Sequence, residues 1–168
     1  MLIALATACA LQGRDQESLP VASSRTENKV ALRGGPAEIV LHPIGGAPDA
    51  EPRSIEAHLR SLVPGHQVYL QLIDVEAKVP PAITYNVYLN LPPGKTPTET
   101  SHPHYVGTLN FFDAQSNHPV SIALNLTPYL DSLLSRGSFD DGLRVMIVPI
   151  GDPESSEIQI ARLQVIAR

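Results

Sequence analysis

The chain has 168 residues, a formal net charge of -5, 16 prolines and 11 glycines, with 43% hydrophobic and 17% charged residues. Such a length can bury one core without staples, and this balance of turn formers over charges favours strands over long surface helices. The 12 basic residues are scattered singly, so no phosphate-binding footprint forms and nucleic acid is not an expected partner. The one cysteine, Cys9, excludes an internal disulfide and any CxxC-type zinc or redox site.

In chain order, Met1 to Leu11 is apolar like the central region of an export signal, but no Lys or Arg precedes it. Export through this weak segment therefore stands beside the alternative of a short N-terminal helix, and the segment is too short to span a bilayer. Gln12 to Asn28 is polar and aperiodic, the character of a linker. The expected division is residues 1–28 as apolar segment plus linker and 29–168 as one folded domain.

From Lys29 onward, short alternating apolar runs recur between turn clusters, which is the pattern of an antiparallel β-sandwich of about seven strands with one or two short helices. Val30 to Leu32 and Ala37 to His42 flank Gly34-Gly35-Pro36 and read as a strand pair or as one strand broken by a bulge. Gly45 to Pro48 is a turn. Ile55, Leu59 and Leu62 or Val63 fall at helical spacing within Arg53 to Val63. Gln67 to Ala77 is a strand ended by Pro80-Pro81, with Val68, Leu70 and Leu72 on one face and Tyr69, Gln71 and Ile73 on the other. Thr84 to Leu91 puts Tyr85, Val87, Leu89 and Leu91 inward and Asn86, Tyr88 and Asn90 outward, and Tyr105 to Phe112 follows with Tyr105, Gly107, Leu109 and Phe111 on one face.

Val120 to Leu126 is another strand, and Thr127-Pro128 caps a short helix that runs to about Arg136 and stops at Gly137. Leu143, Val145 and Ile147 face inward from the next strand, and Gly151-Asp152-Pro153 turns the chain. In Ile158 to Ile166 the apolar parity changes between Ile160 and Leu163, which predicts a β-bulge near Ala161-Arg162.

Ser101-His102-Pro103-His104 is the first candidate site, because two imidazoles two residues apart on extended backbone point to one side and can approach one copper or zinc ion. Two ligands do not make a site, and His42, His58, His66 and His118 lie on other elements with no shared spacing. Histidines in a strand connection are the plainer reading. GxSxG, HExxH, GxGxxG and the Walker loop are absent from the sequence, and the acidic residues at Asp140-Asp141 and Glu154 to Glu157 read as solvated loops. Asn125-Leu126-Thr127 matches a glycosylation acceptor, but Thr127 is wanted as a cap. Tyr69, Tyr88 and Phe112 fall opposite the inferred core, so the sheet either presents aromatics outward to a partner or has them covered.

The pair Tyr85-Asn86-Val87-Tyr88-Leu89-Asn90 and Tyr105-Val106-Gly107-Thr108-Leu109 resembles the C-terminal domain of plant polyphenol oxidases and bacterial tyrosinases, with Asn86 in place of the usual Asp. Lys29 to Ala37 is similar to the start of that domain, and Val145 to Pro149 with Ile158 to Ile160 to its closing strands. The resemblance implies a β-sandwich that shields or partners a tyrosinase-like di-copper catalytic domain, which carries the copper and any phenol oxidation. This chain would then hold no catalytic residue and no cofactor of its own. Helical His-x-x-x-His pairs, which a di-copper centre uses, do not occur in it. The expected interaction surface is Tyr69, Tyr88, His102, His104 and Tyr105. The alternative is a secreted copper- or zinc-binding module using His102 and His104.

Overall fold

The computed structural model describes residues 18–24, 29–44, 54–62, 64–79, 82–115, 117–136, 139, 142–152 and 157–168. Cys9, the turn at Gly45 to Pro48, Pro80-Pro81, Gly137 and Asp140-Asp141 lie outside them.

Among the described residues nine antiparallel strands follow one another as β1 (Leu19–Ser23), β2 (Val30–Arg33), β3 (Ala37–Pro43), β4 (Val68–Ala77), β5 (Thr84–Leu89), β6 (Tyr105–Asn110), β7 (Val120–Asn125), β8 (Leu143–Ile150) and β9 (Glu157–Ala167). They pair in the order β6-β5-β8-β3-β1-β9-β4-β7, with β2 beside β9. Only Ala22↔Pro43 and Ser23↔His42 join β1 to β3, so the sheet behaves as two halves stitched along one side. The halves face each other as in a sandwich, and the sheet curls until its end strands β6 and β7 come together. The all-β class is as expected, with nine strands instead of about seven.

The core fills the space between the halves. Val68, Leu70 and Leu72 of β4, Tyr85, Val87 and Leu89 of β5, and Leu143, Val145 and Ile147 of β8 are all buried in it. Each set alternates along its strand, as one apolar face requires. Among the described residues two short helices pack against this core through Ile55, Leu59 and Leu133. In α1 (Ile55–Arg60) the Ser54 hydroxyl accepts from the Ala57 N–H at 3.1 Å, while Ile55 and Leu59 are buried. A single 3₁₀ turn, Thr127–Tyr129, leads into α2 (Leu130–Arg136).

Three expectations need correction. The segment read as a linker contains β1, whose Val21 and Ala22 are buried between β3 and β9. Ser24 extends this strand, donating its N–H to Leu163 O at 2.8 Å and accepting from Leu163 N at 3.1 Å through its hydroxyl. So short a strand shows no alternation; it is made by neighbours on both sides. Secondly, β2 and β3 are not paired with each other, since β2 lies on β9 and β3 on β8 and β1. Thirdly, Thr127 does not cap its helix, because its hydroxyl accepts from the Val68 N–H at 2.9 Å and so fastens the strand ends instead.

The parity change in β9 is real, but β4 changes face with it. Leu72 pairs with Leu163 and Val75 with Ile160 in unbroken register, so both strands move their apolar residues to the other parity at the same level. Asp74, at φ 49, takes up the extra residue, and the register shift appears against β7. At that level β9 also exchanges one neighbour, β2, for another, β1.

Candidate functional site

Asn90, just after β5, has φ 50, a left-handed conformation that Asn tolerates better than most residues. Its backbone N–H donates to Arg144 O at 2.8 Å, and its side-chain oxygen accepts from the Arg144 N–H at 3.0 Å. The chain then turns back over the outer face of β5, β6 and β8 as a strap, Leu91 to His104. Beneath it lies a second apolar cluster, Tyr88, Leu91 and Val148 with Tyr105 and Met146 against them, so Leu91 and Tyr105 are not on the faces expected of them: the turn at Asn90 and the register shift between Val87 and Tyr88 carry both to the side of Tyr88. This layer explains why β5 is buried on both faces.

The strap is held by a chain of hydrogen bonds. Tyr105 and Thr108 share a hydroxyl–hydroxyl bond of 2.8 Å, and Thr108 donates to the Asn86 side-chain oxygen at 2.8 Å. The Asn86 amide donates to Thr98 O at 3.1 Å and to the Tyr88 hydroxyl at 3.3 Å. Tyr88 donates in turn to Glu99 O at 3.2 Å. Asn86 thus supplies donors that a carboxylate in its place would lack.

The two histidines close the strap onto β5 and β6. The Leu89 N–H donates to His104 O, and the Tyr105 N–H to His102 O, each at 2.9 Å. His104 Nδ1 lies 2.7 Å from Leu89 O, so it carries the proton and donates. His102 Nδ1 accepts from the His104 backbone N–H at 3.3 Å, which fixes the opposite tautomer. The rings sit 5.5 Å apart, and His102 stands edge-on to Tyr88 at 5.9 Å.

Of the expected contact residues, Tyr88, His102, His104 and Tyr105 come together here. Tyr88 is not outward-facing, because the strap covers it completely. Tyr69 is elsewhere, half-buried on β4 with its hydroxyl bonded to Gln67. Phe112, beyond β6, is half exposed. Sequence reasoning missed Asn86 and Thr108 as organisers; the signal was their place on the same outward parity as Tyr88 across the paired strands. Among the described residues no group of three or more His, Cys, Asp or Glu gathers where an ion could sit. On the far side of the sheet the Glu157 carboxyl is held below the usual glutamate range, first by its bond to Lys78 and that residue's charge and then by Arg33.

These features define a small all-β domain with a nearly closed antiparallel sheet, whose main polar cluster is engaged in holding a strap. The chain belongs to the family described as "Domain of unknown function (DUF7868)", which matches residues 8–168. No curated protein matches it by sequence. Among solved structures, latent apple tyrosinase shares the fold over 85% of this chain at 20% identity with a TM-score of 0.53. A recombinantly expressed latent aurone synthase, a polyphenol oxidase, is similar over 88% of it at 13% identity and a TM-score of 0.48. The chain spans 28% of the first of these proteins and 27% of the second. Among the described residues no helix is long and apolar enough to cross a membrane.

Proposed function

We propose that this is a non-catalytic domain that partners and shields a di-copper catalytic domain of the tyrosinase or polyphenol oxidase type, in the position of its C-terminal domain. The observation that carries this reading is the likeness over 85% of the chain to part of a latent tyrosinase. The motif pair supports it, because its two segments lie side by side as the paired strands β5 and β6. The partner-facing side would be the rim where His102, His104 and Tyr105 are half exposed.

Copper belongs to the partner in this reading. The residues present do not fit a di-copper centre: no third ligand joins His102 and His104 among the described residues, and His102 uses its Nδ1 as an acceptor within the strap. A Nε2-bound metal on His102 would put a proton on Nδ1, facing the His104 N–H, so the strap bond and metal binding oppose each other.

Mixing the purified chain with a copper-loaded catalytic domain and following catechol oxidation tests the role. Saturable inhibition with direct binding is expected. Absence of both at micromolar concentrations would sink it. Metal titration of wild type and of the His102→Ala, His104→Ala double variant addresses the alternative, in which affinity would be present and lost.

A further inference from the structure

The end strands of the sheet enclose a cleft that neither the strap nor a catalytic partner explains. An odd number of antiparallel steps separates β6 from β7, so the two run in opposite directions, yet they do not pair. At one end the Leu124 side chain presses onto Gly107, reaching within 2.5 Å of where a Cβ would stand. At the other end the strands diverge around a cavity of about 390 Å³, walled by Leu109, Phe111, Ile122 and Leu124 among others. The space is a wedge. An added strand needs about 4.8 Å on each side along its whole length, and the Gly107–Leu124 contact denies that.

A compact ligand suits the shape better, and its volume lies in the range of small-molecule sites. The mouth selects its charge: Asp113 lines the cleft, and no Lys or Arg does among the described residues. We propose that this wedge binds a small aromatic amine, with the ring against the partly exposed Val120 and Ile122 and the ammonium at Asp113. The cleft touches the strap's hydrogen-bond chain only through Thr108 and does not depend on the role assigned above.

Tryptamine is a direct probe, because the chain contains no Trp and the ligand's indole fluorescence is read against tyrosine alone. Saturable binding of tryptamine is expected, about threefold tighter than indole-3-propionate, the scale of one solvent-exposed ion pair. Asp113→Asn should erase that preference, and Ile122→Phe should fill the wedge and weaken both ligands. Asp113 is exposed, so its variant keeps the question open to test if the core variant folds poorly. No saturable binding, equal affinity for amine and acid, or binding untouched by either substitution would overturn the proposal. Protection of β6 and β7 amides by extended peptides but not by tryptamine would also do so, by making the seam a strand-pairing edge.

Discussion

Strand β6 has two sides that were finished in different ways. Toward β5 it is paired and roofed by the strap, with Tyr105, Thr108, Asn86 and Tyr88 linked in one hydrogen-bond chain. Toward β7 it is unpaired, and the gap is closed at one point by Leu124 lying on Gly107. The strapped side gains specificity from directional bonds inside a dry layer, where an unmet partner is costly. The seam relies on shape alone, which leaves a cavity beside the contact and hence room for a ligand.

The comparison can be broken from either side. The largest effect is expected at the roof: Tyr88→Ala should cost about 3–5 kcal/mol in urea unfolding, because it empties a fully buried aromatic site and frees the strap. Amide exchange of residues 92–104 should then accelerate while the core strands stay protected. At the seam, Gly107→Val should cost about 1–3 kcal/mol, since the new side chain meets Leu124 and the backbone sits at φ 154. Pairing it with Leu124→Ala should recover part of that loss, whereas no recovery would show that the backbone conformation alone sets the cost.

Asn86→Asp tests whether the strap depends on the amide. It should cost about 1–3 kcal/mol near neutral pH, because a carboxylate would face the Thr98 carbonyl without a donor. Lowering the pH should reduce the cost as the carboxyl gains a proton. Tyr88→Phe should cost about 1 kcal/mol through loss of the bond to Glu99 O. The smallest effect is at Glu157, a partly exposed carboxylate paired with Arg33 and Lys78. Its lowered pKa means that its contribution is present above the usual glutamate range and is lost as the pH falls through the folded value. Glu157→Gln should therefore lower the thermal midpoint slightly at pH 7 and leave it unchanged at strongly acid pH, with the difference fading at high salt.

The parts of the fold that were legible are those whose strands have one wet and one dry face. Val68, Leu70 and Leu72, or Leu143, Val145 and Ile147, announce themselves because alternate positions meet different solvents. The first helix was readable from Ile55 and Leu59, although the Ser54 that caps it was not singled out. Its neighbour in kind, Thr127, misled because the hydroxyl suited to capping was taken by Val68 across the sheet. Of the candidate site, the histidines and Tyr88 could be picked out by type and parity. Their burial could not, since the strap that covers Tyr88 is held by main-chain oxygens of Thr98 and Glu99, which any residue would supply.

The sequence by itself determined an antiparallel all-β domain, the inward faces of its main strands and the parity change in β9, because these follow from the local spacing of apolar side chains. Only the tertiary structure decided that Val21 and Ala22 join the sheet, that β4 changes face together with β9, and that β6 and β7 meet without pairing. The reason is that each of these depends on what lies across a gap from residues distant in the chain, and backbone hydrogen bonding leaves no mark on side-chain order.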